Sequence, residues 1–255
     1  MDISVDDIER LVVAMDEQGY GVLHGFVSQH DLDAAARFVV AESAKHDGQY
    51  FSYNGPECVA GTLMDELGKS PPFRGLLEAV YERAARRPAP SSEIYQALRV
   101  VAGETGLKKA WKFHYDSYVI TALVPIVMPS GPENARGDLV IYPSLRSIRR
   151  YAVTNVIERV FFQNRIVQYL MASRIARRLW KAQVIPMEPG NLYFFRGYQS
   201  LHANKPCAVD ALRCTALFHF ADPHEDSLLY RYIRNRRQRR RNSTAGSQAG
   251  ASADG

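Results

Sequence analysis

One stretch of the sequence constrains the fold more than any other. Residues 111–127 alternate with a period of two, and β-branched and aromatic residues dominate them. This pattern is typical of a β-strand, whose successive side chains point to opposite faces of a sheet. Apolar runs at 138–142, 191–196 and 213–220 predict three further strands. The C-terminal half of the chain is therefore expected to be built from short β-strands.

The N-terminal part of the chain carries helical patterns instead. Apolar residues recur every three or four positions over residues 5–20, and a serine that can cap a helix precedes the segment 31–43. Two more helices are predicted at 73–86 and 92–102, while the glycine- and proline-rich stretch 44–72 is expected to be a loop. Helices followed by short strands predict an α+β fold with an antiparallel sheet or a jelly roll.

A long basic segment separates the predicted strands. Over residues 154–182 the arginines fall mostly between the apolar positions, which predicts an amphipathic helical insertion. We expect this insertion to form a lid or a partner surface, although the solvated face of a helix is the simpler explanation of its arginines.

The C-terminus differs in composition from the rest of the chain. Residues 231–255 hold seven arginines, all between Arg231 and Arg241, and one acid, so their formal charge is +6 and the rest of the chain sums to −1. We therefore predict one domain over residues 1–230, followed by a basic and then disordered tail. The tail could recruit an anionic partner, although a solvated helix end explains its arginines more simply.

From the composition and the N-terminal residues, we do not expect a largely disordered chain, a membrane-spanning helix or a secretory signal. Apolar residues make up 46% of the 255 positions, which is too many for a chain that is disordered over most of its length. The longest nearly apolar stretch, residues 118–128, is much shorter than the ~20 residues that cross a bilayer, and the acidic N-terminus is unlike a secretory signal. The three cysteines form no CxxC pair, which favours the reducing environment of the cytoplasm.

A histidine and an aspartate lie two residues apart in the first predicted strand. One face of that strand would carry Lys112, His114, Asp116 and Tyr118. An imidazole and a carboxylate at this spacing can bind one metal ion, and His202 is the best candidate for a third ligand. Two histidines and one carboxylate with other positions open suit a non-haem Fe(II) oxygenase. A lone His-x-Asp pair is more often structural, so the interpretation depends on all three residues.

An arginine follows the last of these residues eleven positions later. Arg213 opens the strand 213–220, and Thr215 faces the same way. A guanidinium makes a bidentate pair with a carboxylate, and a neighbouring hydroxyl can add a hydrogen bond, so this pair is predicted to hold an acidic co-substrate. His219 shares the face but lies about 20 Å from Arg213 along a straight strand, so we interpret it as structural or as part of the rim.

The order of these residues, a His-x-Asp pair, a later histidine and an arginine eleven positions beyond it, resembles the Fe(II)/2-oxoglutarate-dependent dioxygenases. Within them it looks most like the phytanoyl-CoA dioxygenase-like group. Residues 18–28 are similar to the Gly-Tyr-x-Val-Leu-x-Gly-Phe opening of that group, residues 137–144 to a mid-barrel strand and turn, and residues 189–202 to its Pro-Gly-Asp-Leu strand that ends in histidine. The resemblance spans residues 15–222.

The resemblance implies a double-stranded β-helix core of the jelly-roll or cupin type, with the N-terminal helices packed on one side. It implies that His114, Asp116 and His202 bind Fe(II). It also implies 2-oxoglutarate as co-substrate, with its distal carboxylate held by Arg213. Other contacts to 2-oxoglutarate vary within the group, and the candidates in this sequence are Lys112, Tyr118, Tyr193 and Thr215.

Hydroxylation is the reaction that the resemblance implies first. Halogenases of this class lack the metal carboxylate, so Asp116 disfavours halogenation, whereas desaturation, ring closure and epimerisation stay open. The leading hypothesis is an oxygenase that hydroxylates a small molecule, and Arg146, Arg149 and Arg150 hint at an anionic group on it. The alternatives are an oxygenase on a macromolecule recruited by the basic tail, and a jelly-roll module that binds without catalysis.

Overall fold

The computed structural model describes residues 3–132, 135–148, 162 and 164–224, which form an α+β structure rich in antiparallel sheet. The helices among these residues are α1 (Val5–Glu17), α2 (Gln29–Lys45), α3 (Leu63–Lys69), α4 (Pro71–Ala85), α5 (Gly103–Leu107), α6 (Arg165–Ala172) and α7 (Arg174–Leu179). The strands are β1 (Tyr20–Leu23), β2 (Phe51–Asn54), β3 (Ile94–Val101), β4 (Ile120–Val127), β5 (Leu139–Tyr142), β6 (Gln183–Ile185), β7 (Leu192–Phe195), β8 (Leu201–Asn204) and β9 (Arg213–Phe220).

The strands form two antiparallel sheets. Six strands make a large sheet in the order β1-β7-β4-β9-β3-β2, and three make a small sheet in the order β6-β5-β8. Neighbouring strands are antiparallel throughout both sheets. An isolated bridge between His114 and His202 attaches the segment before β4 to β8.

Helices cover one face of the large sheet. Phe218 of β9 and Ala122 of β4 point to this side and join Leu77 and Val80 of α4 in the main hydrophobic core. Phe73 of α4 meets Phe218 edge-on, with ring centroids 4.9 Å apart. Burial of this continuous apolar surface is the main force that holds the helices on the sheet.

N-capping serines explain where three helices of this layer begin. At the start of α1 the Ser4 hydroxyl accepts the N–H of Asp7, and the Asp7 carboxylate accepts the N–H of Ser4, which is a capping box. Ser28 caps α2 in the predicted place. Ser70 caps α4, whose first residue is Pro71, a residue that fits the first helical turn without losing a hydrogen bond.

The other face of the large sheet packs against the small sheet. Leu123 of β4 and Phe195 of β7 form an inter-sheet cluster with Leu139 and Ile141 of β5. None of the described residues in this cluster comes from β2 or β3, so the small sheet covers only part of the large one.

Part of the predicted helical insertion packs on the outer face of the small sheet. Met171 of α6 contacts the buried side chains of Phe113 and Tyr142. The Gln168 side chain accepts the N–H of Phe113 at 2.6 Å and donates to its carbonyl at 2.9 Å. Residues 154–161 and 163 of the insertion, and the predicted tail at 231–255, lie outside the described residues.

Most of the predicted secondary structure is confirmed, and three predictions are wrong. The expected helix at 92–102 is strand β3, because its apolar spacing fits either element and pairing with β2 and β9 along both edges decides between them. The strand expected over 111–127 begins only at Ile120, and the segment before it is irregular apart from the bridge to β8. The loop expected at 44–72 contains β2 and α3.

The three cysteines are free thiols, with Cys58 exposed and Cys207 and Cys214 buried. Within the described ranges, no helix combines the length and the apolar character that crossing a membrane requires.

Replacing Leu77 with alanine is expected to lower the free energy of unfolding by about 2–5 kcal/mol. The truncation removes buried apolar groups and leaves a cavity that the surrounding core fills only in part. The Leu77 side chain is fully buried, whereas Leu179 is 68% exposed. The matched change Leu179→Ala should therefore alter stability by no more than about 0.5 kcal/mol. Urea unfolding measures both variants, and equal losses would contradict the assignment of the main core.

Candidate metal centre

Three side chains that the sequence pattern singles out meet at one point. One ligand atom each from His114, Asp116 and His202 lies within 4.8 Å of the other two. His114 Nε2 is 3.8 Å from Asp116 Oδ1, and His202 Nε2 is 3.5 Å from Asp116 Oδ2. Two imidazoles and one carboxylate in this arrangement could hold a divalent metal ion and leave coordination positions open.

The backbone brings the two histidines together. His114 and His202 exchange two N–H···O hydrogen bonds of 3.0 Å each, as an antiparallel pair does. Their side chains therefore share a face, and the ring centroids are 4.4 Å apart. Phe195 of the large sheet meets the His202 ring edge-on at 4.9 Å, so this face points into the space between the sheets.

Both imidazole rings are oriented by a backbone carbonyl two residues earlier in the chain. Nδ1 of His114 is 2.8 Å from the carbonyl oxygen of Lys112, and Nδ1 of His202 is 3.0 Å from that of Ser200. Because a carbonyl oxygen can only accept, each Nδ1 carries the proton. Nε2 is thereby left free as a metal ligand on both rings.

Two hydrogen bonds hold Asp116 in place, and the packing around it leaves no room for a side chain at position 197. Its backbone N–H donates to the carbonyl of Gly197 at 3.0 Å, and the Thr121 hydroxyl donates to its Oδ2 at 2.6 Å. A Cβ atom at Gly197 would lie 2.4 Å from Asp116 Oδ2 and 2.2 Å from Thr121 Oγ1. Glycine is therefore required at this turn, and sequence reasoning did not identify Gly197 as part of the site.

His219 completes the surroundings of the carboxylate. Its Nδ1 is 3.1 Å from Thr121 Oγ1 and 3.7 Å from Asp116 Oδ2. The interpretation of His219 as structural rested on its distance from Arg213. The metal-binding group, however, lies towards the His219 end of β9, so this histidine borders the centre directly.

The pKa values of Asp116 and the surrounding histidines depend on one another. Burial raises the pKa of Asp116, but three surrounding imidazoles and the Thr121 hydroxyl outweigh it and hold this pKa well below its usual range. The pKa of His114 is lowered to about 4, first by desolvation of the imidazole within the protein and then by the neighbouring His202. The ring nevertheless keeps one open side, because 57% of its side-chain surface is accessible. At neutral pH the carboxylate is therefore ionised and His114 is neutral, which are the forms that a metal ion needs.

Arg213 lies on the same inner face and is only 2% exposed. One of its amino groups donates to Asn204 Oδ1 at 3.0 Å, while Nε and the other amino nitrogen have no hydrogen-bond partner among the described residues. A Cβ atom at Gly137 would lie 2.6 Å from Arg213 Cδ, so the guanidinium passes close to a glycine backbone. A buried cation with unused donors is costly unless an anionic ligand completes it.

Strand β8 connects the two parts of the site. Asn204, which Arg213 contacts, is two residues beyond His202 on the same strand. Side chains at this spacing share a face and stand about 6.6–7 Å apart at the backbone. A molecule with one end at the metal-binding group and a carboxylate at Arg213 would span this step.

Two further predicted co-substrate contacts lie between the sheets. Thr215 is buried on the same face of β9 as Arg213. The Tyr193 hydroxyl donates to the carbonyl of Pro186 at 3.1 Å and accepts the N–H of Glu188 at 2.9 Å. Thr215 stays a predicted contact, whereas Tyr193 would have to give up a backbone hydrogen bond to become one.

The remaining two predicted contacts lie on the outer side of the centre. Lys112 is exposed, and its backbone carbonyl orients His114. Tyr118 stacks on the ring of His219, with centroids 5.5 Å apart. A direct contact of either residue with a co-substrate stays a prediction.

The arginines that hinted at an anionic substrate group do not gather at the centre. The Arg146 guanidinium lies between the rings of Tyr115 and Tyr198, 4.0 and 4.2 Å from their centroids, and is thus used within the fold. Arg149 and Arg150 lie outside the described residues.

Several solved structures share this fold. A prolyl-4-hydroxylase from Pseudomonas putida matches with a TM-score of 0.54 at 10% identity, over 84% of this chain and 98% of its own. The epimerase SnoN from nogalamycin biosynthesis, in complex with Fe3+, alpha ketoglutarate and nogalamycin RO, gives 0.53 at 13% identity over 86% and 85%. The non-heme alpha ketoglutarate dependent carbocyclase SnoK gives 0.53 at 17% identity over 90% and 91%. At these identities the likeness shows the fold alone. No family model and no curated protein matches the sequence.

Replacing Thr121 with valine is expected to weaken metal binding about 10- to 100-fold, because the isosteric side chain cannot donate to Asp116 Oδ2 and orient it. Titration with Mn(II), followed by electron paramagnetic resonance, measures the affinity. Thr62→Val removes a hydroxyl that donates to the Val59 carbonyl, away from the centre, and should leave the affinity unchanged. Equal Mn(II) affinity in the wild type and a folded Thr121 variant would refute this role.

The metal-free protein is expected to lose stability as the pH falls below about 6.5, the ordinary pKa of a histidine. Burial lowers the pKa of His219 in the folded state, so the unfolded chain takes up the proton first and acid favours unfolding. In His219→Asn the loss between about pH 7 and 5 should be smaller, because an amide does not titrate. Urea unfolding across this range measures the difference, and parallel pH profiles would contradict the assignment.

Proposed function

We propose that this chain is a non-haem Fe(II)/2-oxoglutarate-dependent oxygenase that hydroxylates a small molecule. The observation that carries the proposal is the pairing of two sites on one inner face. His202 of the His-Asp-His group lies two residues before Asn204 on β8, and Asn204 contacts the buried guanidinium of Arg213, whose other donors have no partner among the described residues. The first donor set suits Fe(II), and the guanidinium suits a carboxylate. Two proteins of similar fold are described as alpha ketoglutarate dependent, and one is in complex with Fe3+ and alpha ketoglutarate, which supports the same pairing here.

In this proposal the two histidines and Asp116 hold the iron, which supplies the activation of dioxygen when it is bound. The hydrogen bonds from Nδ1 to backbone carbonyls keep the rings aimed at the metal. Arg213 and Asn204 bind the distal carboxylate of 2-oxoglutarate, and Thr215 adds a hydroxyl on the same face. A five-carbon dicarboxylate suits the step of about 6.6–7 Å between the two positions on β8.

The overall reaction balances without a further reductant. 2-Oxoglutarate loses CO2 and becomes succinate, whose new carboxylate takes up one atom of dioxygen. The other oxygen atom enters a C–H bond of the substrate and gives a hydroxyl group. The co-substrate and the substrate each give up two electrons, which together supply the four that dioxygen needs. The chain itself contributes binding, orientation and a site enclosed between two sheets.

The proposal extends to architecture, subgroup and location. We interpret the two facing sheets as the double-stranded β-helix, or jelly roll, that the sequence resemblance implies. The segments at 18–28, 137–144 and 189–202 support the phytanoyl-CoA dioxygenase-like group. The carboxylate of Asp116 favours hydroxylation over halogenation, and the three free cysteines favour a cytoplasmic location.

Under anaerobic conditions, 2-oxoglutarate is expected to stabilise the Mn(II)-loaded protein by about 2.7 kcal/mol when its concentration is 100 times its Kd. Arg213→Met replaces the guanidinium by an apolar side chain and should weaken 2-oxoglutarate binding at least about 30-fold, because a buried charged partner is lost. Thermal unfolding and calorimetric titration measure the two effects.

The matched control for this prediction is Arg37→Met, because Arg37 is exposed on α2, away from the centre. This variant should bind 2-oxoglutarate as the wild type does. If neither Mn(II) nor 2-oxoglutarate stabilises the wild type, the His-Asp-His group is structural, and a binding module without catalysis explains the chain better.

A further inference from the structure

The large sheet extends beyond the part that the small sheet covers, and this open face of β2 and β3 borders the metal centre. In the register of β3 and β9, Tyr95 stands opposite His219 and Arg99 stands opposite Thr215. Residues directly opposite each other share a face of a sheet, so Tyr95 and Arg99 point to the same side as the metal-binding group. The described residues of the inter-sheet cluster include none from β2 or β3, and the side chains of Tyr95 and Arg99 are exposed, so this face is open to solvent at these two residues.

Aromatic rings connect the open face to the metal centre. Tyr118 stacks on His219 with centroids 5.5 Å apart, and Tyr95 stacks on Tyr118 at 5.7 Å. His219 Nδ1 is in turn 3.7 Å from Asp116 Oδ2. The rings therefore form a continuous wall from a metal ligand to the surface, where Tyr95 is 36% exposed. Such a wall offers a flat apolar surface to a ligand.

Arg99 provides positive charge on this face. Its side chain is exposed, and one amino group donates to the Tyr50 hydroxyl at 3.2 Å. Among the described residues it has no carboxylate partner. The Lys109 ammonium lies over the Tyr50 ring, 4.3 Å from its centroid, and adds a second cation. Within the part of the chain that the structure describes, no carboxylate pairs with Arg99, so the open face carries positive charge.

The metal centre opens towards solvent on the His114 side. The side chain of His114 is 57% accessible, whereas that of His202 is 7% accessible. In the register of β3 and β9, Arg99 lies on the same face of the sheet as Thr215 and His219, so its guanidinium is on the side that holds the centre. Arg213, by contrast, is only 2% exposed and is not available at this open face.

We propose that the open face of β2 and β3 binds the primary substrate, and that Arg99 pairs with an anionic group of it, such as a carboxylate, sulfonate or phosphate. Tyr118 and Tyr95 stack on a flat or ring-shaped part of the same molecule. The two arginines then bind different anions. Buried Arg213 binds the carboxylate of the co-substrate, whereas exposed Arg99 binds the anionic group of the substrate and so selects it. This inference rests on the oxygenase function proposed above, since it places the substrate beside the same metal ion.

Benzenesulfonate is a suitable probe, because it joins an aromatic ring to an anion that binds metals poorly. Benzenesulfonamide is its neutral counterpart of the same shape. With full-length protein loaded with Mn(II) and 2-oxoglutarate, the wild type should bind the sulfonate at least about tenfold more tightly than the sulfonamide. Arg99→Gln should remove this preference, and Arg37→Gln, the same charge change on α2, should retain it. Broadening of the ring-proton NMR signals by Mn(II) measures both the affinity and the nearness to the metal.

A 2-oxoglutarate titration of each variant keeps the two proposals apart. If 2-oxoglutarate binds but the wild type does not prefer the sulfonate, or if Arg99→Gln keeps that preference, this inference is overturned and the oxygenase function stands. If Arg99→Gln weakens 2-oxoglutarate binding as strongly as Arg213→Met does, Arg99 belongs to the co-substrate site and the substrate assignment is wrong. If the wild type binds no 2-oxoglutarate, the oxygenase function fails and this inference fails with it.

Discussion

The pair of backbone hydrogen bonds between His114 and His202 is the interaction on which the metal centre depends. These two bonds fasten the irregular segment before β4 to the edge of β8. Because a hydrogen-bonded antiparallel pair places its side chains on one face, the imidazoles meet without a further constraint. Their orientation then comes from nearby carbonyls, and Asp116 completes the group through its contacts with Gly197 and Thr121.

Strand β9 links this chemistry to the stability of the fold. Its residues Cys214, Ala216, Phe218 and Phe220 are buried in the main core against the helices. The alternating positions carry Arg213, Thr215 and His219 on the opposite face, towards the small sheet and the metal centre. Packing on one side of the strand therefore fixes the positions of the polar groups on the other side. The polar groups that β9 contributes are therefore positioned by a rigid element of the fold.

The three side chains of the candidate metal centre could be singled out from the sequence because the pattern depends on local spacing and order. A His-x-Asp pair, a later histidine and a following arginine are visible without knowledge of any long-range contact. Thr121, Gly197 and His219 could not be found in this way, since each is defined by how closely it approaches Asp116 across the fold.

The assignment of residues 92–102 as a helix shows the same limit. Apolar residues in this segment fit both helical and strand spacing, and only pairing with β2 and β9 selects the strand. For the same reason the position of Arg99 could not be predicted. A residue assigned to a helix cannot be paired with Thr215 on β9, although the two residues stand opposite each other in the sheet. Element type therefore had to be known before the open face could be recognised.

The fixed step between His202 and Asn204 on β8 has a consequence for the choice of co-substrate. Under the proposed function, this step limits how far apart the two ends of the co-substrate are held, because the rise of a β-strand varies little. A 2-oxo acid that is one methylene longer would have to bend in order to contact both the metal-binding group and the Arg213 guanidinium. A 2-oxo acid that is shorter would leave the guanidinium without a partner. In the proposed oxygenase, selection among 2-oxo acids would thus depend on the rise of a β-strand, independently of Arg99 and Tyr95 on the open face.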